Sequence, residues 1–212
     1  MSTTASSNQA QTPKTGQIFI GSSDFVPMAS STGTTFVDNG SGLFSIHVAA
    51  SSSSTFFADL TTILTPPFFP NEQLYFQAGK QVDGTQPGIP GFPGAFIYSP
   101  LTGMQPAGLA LQTAIAYYKI GTTNLTSASL EIVQSVYPAD NTATNPTVTN
   151  ILAATTLVLV QRANMYATTF TPSVQTMLVT PSTQVTMEID VVTPASSTFD
   201  FYGVLLNVLY NY

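Results

Sequence analysis

The chain has 212 residues, 43% of them hydrophobic and only 7% charged, with four cations against ten carboxylates and a formal net charge of −6. This acidic balance cannot neutralise a phosphate backbone, so direct binding to nucleic acid or to an anionic membrane surface is disfavoured. The sequence has no cysteine, which excludes disulfides, zinc–thiolate sites and thiol catalysis. A surface with so few charges, against roughly 25% in average proteins, repels itself weakly and suits a protein packed in an assembly.

The N-terminal segment is rich in Ser, Thr, Gln and Asn. We predict that residues 1–16 form a flexible arm, either untethered or ordered against a neighbouring subunit, and that residues 17–212 form one domain. The arm has neither the basic nor the apolar region of a secretory signal. No apolar run approaches the roughly 18 residues of a membrane span, so we expect no membrane segment.

Short apolar segments separated by turn signals make up the first half. The predicted strands here are residues 17–20, 34–37, 43–48, 56–64 and 74–76. Residues 38–42, Asp-Asn-Gly-Ser-Gly, predict a turn that returns the chain into the third of these strands. In the longest predicted loop, residues 79–108, glycine recurs at Gly88, Gly91 and Gly94. Two triplets are too few for a triple helix, so an extended polyproline-like loop is expected.

The second half is more regular and also reads as strands. Residues 111–120 and 129–137 flank a Gly-Thr-Thr-Asn turn and are predicted to form a hairpin-like pair. Residues 148–160 form a long apolar run, in which Ala153 and Ala154 are also compatible with the start of a short helix. Strands at 166–170 and 174–179 follow. The pattern predicts one all-β domain of about eight to ten antiparallel strands, with the N-terminal arm attached.

The segment 177–212 has the clearest periodicity. Val185, Met187, Ile189 and Val191 alternate with polar residues, as in a strand with one buried face and one wet face. The last strand differs, because apolar residues occupy both of its sides. Val204, Leu206, Val208, Tyr210 and Tyr212 share one side, and Leu205 and Leu209 lie on the other. Such a strand is either sandwiched centrally or faces another subunit, and we expect the second.

The order of strand, turn, alternating strand, turn and closing aromatic strand resembles the C-terminal end of tumour-necrosis-factor/C1q-like jelly rolls. The matching closing positions are Phe199, Phe201, Tyr202, Gly203, Leu205 and Leu206. The sequence departs from the pattern at residues 181–183, where Pro-Ser-Thr replaces Gly-Asp. The resemblance covers about 36 of 212 residues and implies a single jelly-roll β-sandwich. A charge-poor, cysteine-free chain with a floppy arm is also similar to the single jelly rolls of viral capsids, pentons, spikes and decoration proteins.

Few residues offer tunable chemistry. The single histidine, His47, lies on an alternating strand and is expected to be half-buried and hydrogen-bonded. Glu188 and Asp190 project from one strand face about 7 Å apart. That separation suits an inverting glycosidase, and calcium also takes carboxylates, but a solvated strand face is the simpler interpretation. We therefore expect no catalytic residue, no cofactor and no metal site.

Aromatic residues in loops and apolar residues on the closing strand point to association between subunits. The predicted oligomer interface comprises Phe68, Phe69, Phe92, Leu205, Leu209, Tyr210 and Tyr212. The favoured function is a non-enzymatic structural protein of a virus particle, located in the virion. It would act as a homo-oligomer, trimer or pentamer, with other virion proteins as partners. The alternative is a trimeric tumour-necrosis-factor/C1q-like head domain that binds a receptor or glycan.

Overall fold

The computed structural model describes residues 14–40, 42–61, 109–138, 145–173, 176–177 and 183–210. Twelve strands lie within these ranges. They are β1 Lys14–Gly21, β2 Val26–Pro27, β3 Thr34–Asp38, β4 Phe44–Val48, β5 Ser53–Asp59, β6 Leu109–Ile120, β7 Ser127–Val136, β8 Thr147–Thr156, β9 Tyr166–Phe170, β10 Thr176–Met177, β11 Thr183–Val192 and β12 Phe199–Tyr210. A 3-10 turn, Ser22–Asp24, separates β1 from β2. In these ranges no helix is long and apolar enough to cross a membrane.

The strands form two antiparallel sheets, one of seven strands and one of five. Eight of them pair as a nested series along the chain: β4 with β12, β5 with β11, β6 with β9 and β7 with β8. This nesting is a ribbon of strand pairs rolled into a sandwich, which is jelly-roll topology. The predicted all-β single jelly roll is therefore confirmed. The described strands exceed the predicted eight to ten because β1, β2, β3 and β10 extend the sheets beyond the eight of the roll.

The core lies between the two sheets and follows the alternation of the strands. On β11, Val185, Met187, Ile189 and Val191 are all buried, as predicted. Phe56 from the five-stranded sheet meets Phe201 from the seven-stranded sheet, with 5.3 Å between ring centroids. Phe25 packs edge-on against Phe201 at 5.0 Å, and such geometry favours aromatic pairs. This cluster joins the two layers.

The predicted hairpin between residues 111–120 and 129–137 is wrong, because β6 and β7 lie in opposite sheets. The connection between β6 and β7 therefore crosses from the seven-stranded sheet to the five-stranded sheet. The amide of Gly121 donates to the carbonyl of Thr198, and the amide of Thr126 donates to the carbonyl of Val192. These acceptors flank the connection between β11 and β12, which also crosses from one sheet to the other. The last two strands, β11 and β12, therefore also lie in different sheets.

Several predicted boundaries change in the structure. Strand β1 begins at Lys14, three residues before its predicted start, and residues 1–13 of the predicted arm lie outside the described residues. Ala153 and Ala154 belong to strand β8 and not to a helix. The strand predicted at residues 56–64 runs from Ser53 to Asp59. The predicted strand 74–76 and the loop 79–108 also lie outside the described residues.

Strand β12 occupies the centre of the seven-stranded sheet. Strand β6 pairs along one of its edges, while β4 and then β1 share the other. The register shifts between Phe201 and Gly203, which is a β-bulge. Through this shift Phe201 and Val204 are both buried although they are three residues apart. The bulge therefore keeps the apolar residues of both halves of the strand directed at the core.

Gly203 is required at this bulge. Its φ of +143° is a conformation that side chains rarely adopt. A Cβ at this position would overlap the carbonyl oxygen of Ile20 and would lie 2.8 Å from the Phe19 ring. Strand β1 therefore approaches β12 closely because residue 203 has no side chain.

Candidate assembly face

The outer face of the seven-stranded sheet presents an apolar row that crosses three strands. Leu205 on β12 lies opposite Phe19 on β1 and opposite Ile115 on β6. Phe19 is 56% exposed, and Leu205 and Ile115 are half-buried. The ring of Tyr117 lies beside Phe19, with 6.2 Å between centroids. We call Phe19, Leu205, Ile115 and Tyr117 the apolar row.

A polar ladder runs next to the apolar row on the same three strands. Gln17 Nε2 donates to Asn207 Oδ1 at 2.9 Å, and Asn207 Nδ2 donates to Thr113 Oγ1 at 2.7 Å. These side chains occupy register positions directly across the strands. Leu209 follows two residues after Asn207 and is half-buried. The ladder therefore holds polar groups that are already hydrogen-bonded to one another.

The opposite end of this face carries the charged residues. Asp200 on β12 lies opposite His47 on β4 and opposite Lys119 on β6. His47 Nδ1 lies 2.7 Å from Asp200 Oδ1, within hydrogen-bond distance. The side chain of His47 is also half-buried, so both parts of the prediction for this residue are confirmed. Partial burial, and secondly the charge of Asp200, raises the pKa of the neighbouring Tyr202. This hydrogen bond joins the β3–β4 hairpin to the centre of the sheet.

The structure locates only part of the predicted interface. Leu205 and Leu209 lie on this outer face and are half-buried, on the side of β12 opposite the core, as the alternation predicts. Phe68, Phe69, Phe92 and Tyr212 lie outside the described residues, as does the side chain of Tyr210. The interface itself stays a prediction.

Sequence reasoning did not single out Phe19 as a surface residue. It placed residues 17–20 in a strand without assigning faces. The signal was present, because Gln17 and Phe19 alternate with Ile18 and Ile20. Gln17 marks the wet side, and a period of two puts Phe19 there as well. Three more exposed apolar side chains, Phe36, Leu43 and Phe44, lie in the β3–β4 hairpin.

Glu188 and Asp190 lie on the outer side of the five-stranded sheet. Partial burial, and secondly the charges of the neighbouring Asp190 and Glu131, raises the pKa of Glu188. The hydroxyl of Thr55 donates to Asp190 Oδ1 at 2.5 Å. Within the described ranges no group of three or more His, Asp or Glu side chains could hold a metal ion.

No family model and no curated protein matches the chain. Among solved structures, a carbohydrate-binding module in complex with β-1,4-galactotriose is 9% identical, with a TM-score of 0.37 and coverage of 90% of each chain. A low-affinity xylan-binding module from Roseburia intestinalis is 10% identical, with a TM-score of 0.33 over 90% of this chain and 94% of that one. An infectious bursal disease virus structure is 10% identical, with a TM-score of 0.20 over 95% of this chain and 40% of that one. These similarities concern the fold alone.

Proposed function

We propose that the chain is a non-enzymatic structural subunit that works by self-association, and that its assembly face is the outer face of the seven-stranded sheet. The observation that carries the proposal is the apolar row. Phe19, Leu205, Ile115 and Tyr117 are uncharged, neighbouring and incompletely buried. Interface cores are depleted of charge and enriched in aromatic residues, and an exposed apolar patch of this kind marks an interaction site.

The polar ladder lowers the cost of burying this face. A buried polar group that loses its partner costs roughly 1–3 kcal/mol. Gln17, Asn207 and Thr113 bond to one another along the sheet, so a partner can cover them while these bonds persist. The hydrogen-bonded pair of His47 and Asp200 lies at one end, where it would remain at the rim of the contact.

The assembly we propose is a virus particle, in which the chain serves as a capsid, penton, spike or decoration subunit. Jelly rolls occur in both viral capsids and lectins, so the fold is compatible with this role without specifying it. The low content of charged residues, 7%, and the lack of cysteine support a protein whose surface is largely covered by other subunits. Virion proteins would be its partners and the virion its location.

Native mass spectrometry and negative-stain electron microscopy of the purified full chain test this proposal. We expect trimers, pentamers or closed shells. A protein that stays monomeric up to high micromolar concentration contradicts self-association. Oligomers that do not incorporate into particles when co-expressed with other virion proteins contradict the viral role alone.

A second candidate function is a head domain that binds a receptor or glycan. It is favoured by the exposed ring of Phe19 tilted against Tyr117 at 6.2 Å, beside the amide groups of the polar ladder. Aromatic rings next to hydrogen-bonding side chains are typical of binding pockets for small polar ligands. A glycan array with the natural chain and Phe19→Ala separates the two candidates. Glycan binding that is lost in Phe19→Ala, by a soluble discrete trimer, supports the head domain.

A further inference from the structure

Strand β1 has a partner on one edge only within the described ranges. Its eight residues pair with β12 in continuous register, from Lys14 opposite Tyr210 to Gly21 opposite Gly203. No other described strand pairs with it. Along its second edge, alternate backbone N–H and C=O groups therefore point away from the sheet. Such an edge is a template for another extended strand.

The other described sheet edges are shorter or interrupted. Strands β2 and β10 have two residues each, and β2 contains Pro27. Strands β3 and β9 have five residues each, and β3 ends in Asp38. Strand β8 is long, but its register with β7 shifts twice. Short length, proline, charge and bulges are the devices by which proteins block edge pairing.

Strand β1 lacks most of these devices. Its sequence, Lys-Thr-Gly-Gln-Ile-Phe-Ile-Gly, has no proline and no carboxylate, and its one charged residue is at the end. Two copies of this strand can therefore approach each other without repulsion between acidic groups. The edge most available for pairing is thus also continuous with the apolar row, because Phe19 belongs to both.

We propose that β1 pairs antiparallel with β1 of a second copy of this chain, so that the two seven-stranded sheets become one across a two-fold axis. The inference rests on the proposed self-association and adds to the face contact a second, two-fold contact at the sheet edge, which by itself gives a dimer. A two-fold axis perpendicular to the sheet keeps the outer faces of both copies on the same side. The two apolar rows then lie on one continuous surface.

This geometry restricts the register. Directly opposed residues of antiparallel strands share a face, so an outward residue of one copy must oppose an outward residue of the other. Thr15, Gln17 and Phe19 are the outward residues of β1. The axis therefore passes either at one of them, opposing it to itself, or midway between two of them, opposing those two to each other.

Cysteine cross-linking tests the pairing, because the natural chain has no cysteine. Opposed residues lie about 4.5–5.5 Å apart between Cα atoms, within reach of a disulfide. We would prepare Thr15→Cys, Gln17→Cys and Phe19→Cys, and oxidise each alone and in pairwise mixtures. The sample whose cysteines the register opposes should form a covalent dimer at least about tenfold faster than the others. An axis at Gln17 opposes Gln17 to itself and also Thr15 to Phe19, so in that register both of those samples should cross-link. Thr155→Cys, exposed on β8, is the matched control and should form no covalent dimer on the same timescale.

Hydrogen exchange of the natural chain gives an independent readout that needs no substitution. In the monomer, alternate β1 amides should exchange quickly. Edge pairing should slow those amides by at least about tenfold as concentration rises. The β1 pairing is wrong if the chain oligomerises but no cysteine variant cross-links and alternate β1 amides still exchange quickly. Self-association would then stand without it. A chain that is monomeric at every concentration overturns both.

Discussion

His47 and Asp200 are joined at 2.7 Å across β4 and β12, at the point where the β3–β4 hairpin meets the central strand. Only three register pairs, Phe199 to Phe201 with Val48 to Ile46, connect these two strands. The side chains of His47 and Asp200 are both about 70% buried, at 31% and 27% exposed. The pair therefore reinforces a short seam.

Replacing either partner should weaken that seam. We expect His47→Gln and Asp200→Asn each to lower the free energy of unfolding by about 1 kcal/mol, and the double variant to reveal a coupling of about 0.5–1 kcal/mol. Urea denaturation of the four proteins measures this cycle. Additive losses, with no coupling, would mean that each residue acts through its own packing and not through the pair.

Gly203→Ala should be strongly destabilising. The new methyl group meets the backbone of Ile20 and the Phe19 ring, in a conformation that alanine adopts only under strain. We expect a loss of about 3 kcal/mol in urea denaturation. Gly40→Ala is the control, because Gly40 also has positive φ, +82°, but faces open space. Gly40→Ala should lower the free energy of unfolding by about 1 kcal/mol. Equal losses at both sites would mean that the contact with Ile20 and Phe19 adds no cost at Gly203.

Glu188→Gln should stabilise the fold at neutral pH. The raised pKa of Glu188 means that the folded chain holds this proton more tightly than the unfolded chain does. The contribution of this group to stability is therefore greatest below pH 4.5, its ordinary pKa, and is lost as the pH rises through the folded-state pKa. The variant should gain a few tenths of a kcal/mol at pH 7.

Thermal unfolding of natural and variant chains between pH 4 and pH 7 tests the sign. Glu188→Gln should flatten the decline of stability above pH 4.5. Glu131→Gln, which removes one of the neighbouring charges, should act in the same direction but less strongly. If Glu188→Gln instead destabilises the chain at pH 7, the Glu188 carboxylate stabilises the folded chain and the predicted sign is wrong.

Leu205→Asp should weaken the contact made by the outer sheet face by placing a carboxylate in the middle of the apolar row. We expect the association constant to fall at least about a hundredfold, which sedimentation equilibrium measures. Leu205 is half-buried, so Phe19→Ser, at a site that is 56% exposed, provides a variant less prone to misfolding. Leu209→Asp tests the far end of the face.

Thr155→Asp, on the opposite sheet, is the matched control for charge and should associate normally. Circular dichroism confirms that each variant is folded. Oligomers larger than a β1-paired dimer that persist in folded Leu205→Asp and Phe19→Ser would move the face contact to another part of the molecule.

The sequence predicted those parts of the structure that depend on local periodicity. The alternation at Val185, Met187, Ile189 and Val191 places residues on faces without knowledge of the partner strands. The Asp-Asn-Gly-Ser-Gly turn is likewise specified by its own residues, and β3 and β4, on either side of it, pair as a hairpin. Phe19 could have been assigned to the surface by the same rule.

What failed depended on distant residues. The turn at residues 121–124 is compatible with a hairpin or with a crossing between sheets, and Thr198 and Val192 decide between them. Gly203 belongs to the predicted closing motif, but glycine is required there because the backbone of Ile20 approaches closely. The apolar row likewise combines three strands that are far apart in sequence, so no local pattern reveals it.

The pairing of β1 with β12 has a consequence for folding kinetics. The hydrogen bond between Gln17 and Asn207 joins residues 190 positions apart, and contacts of such long range form slowly because the loop entropy is lost before they contribute. During synthesis, β1 emerges long before its partner strand exists. Throughout that interval β1 lacks its pairing with β12, and unpaired strand edges are prone to aggregation.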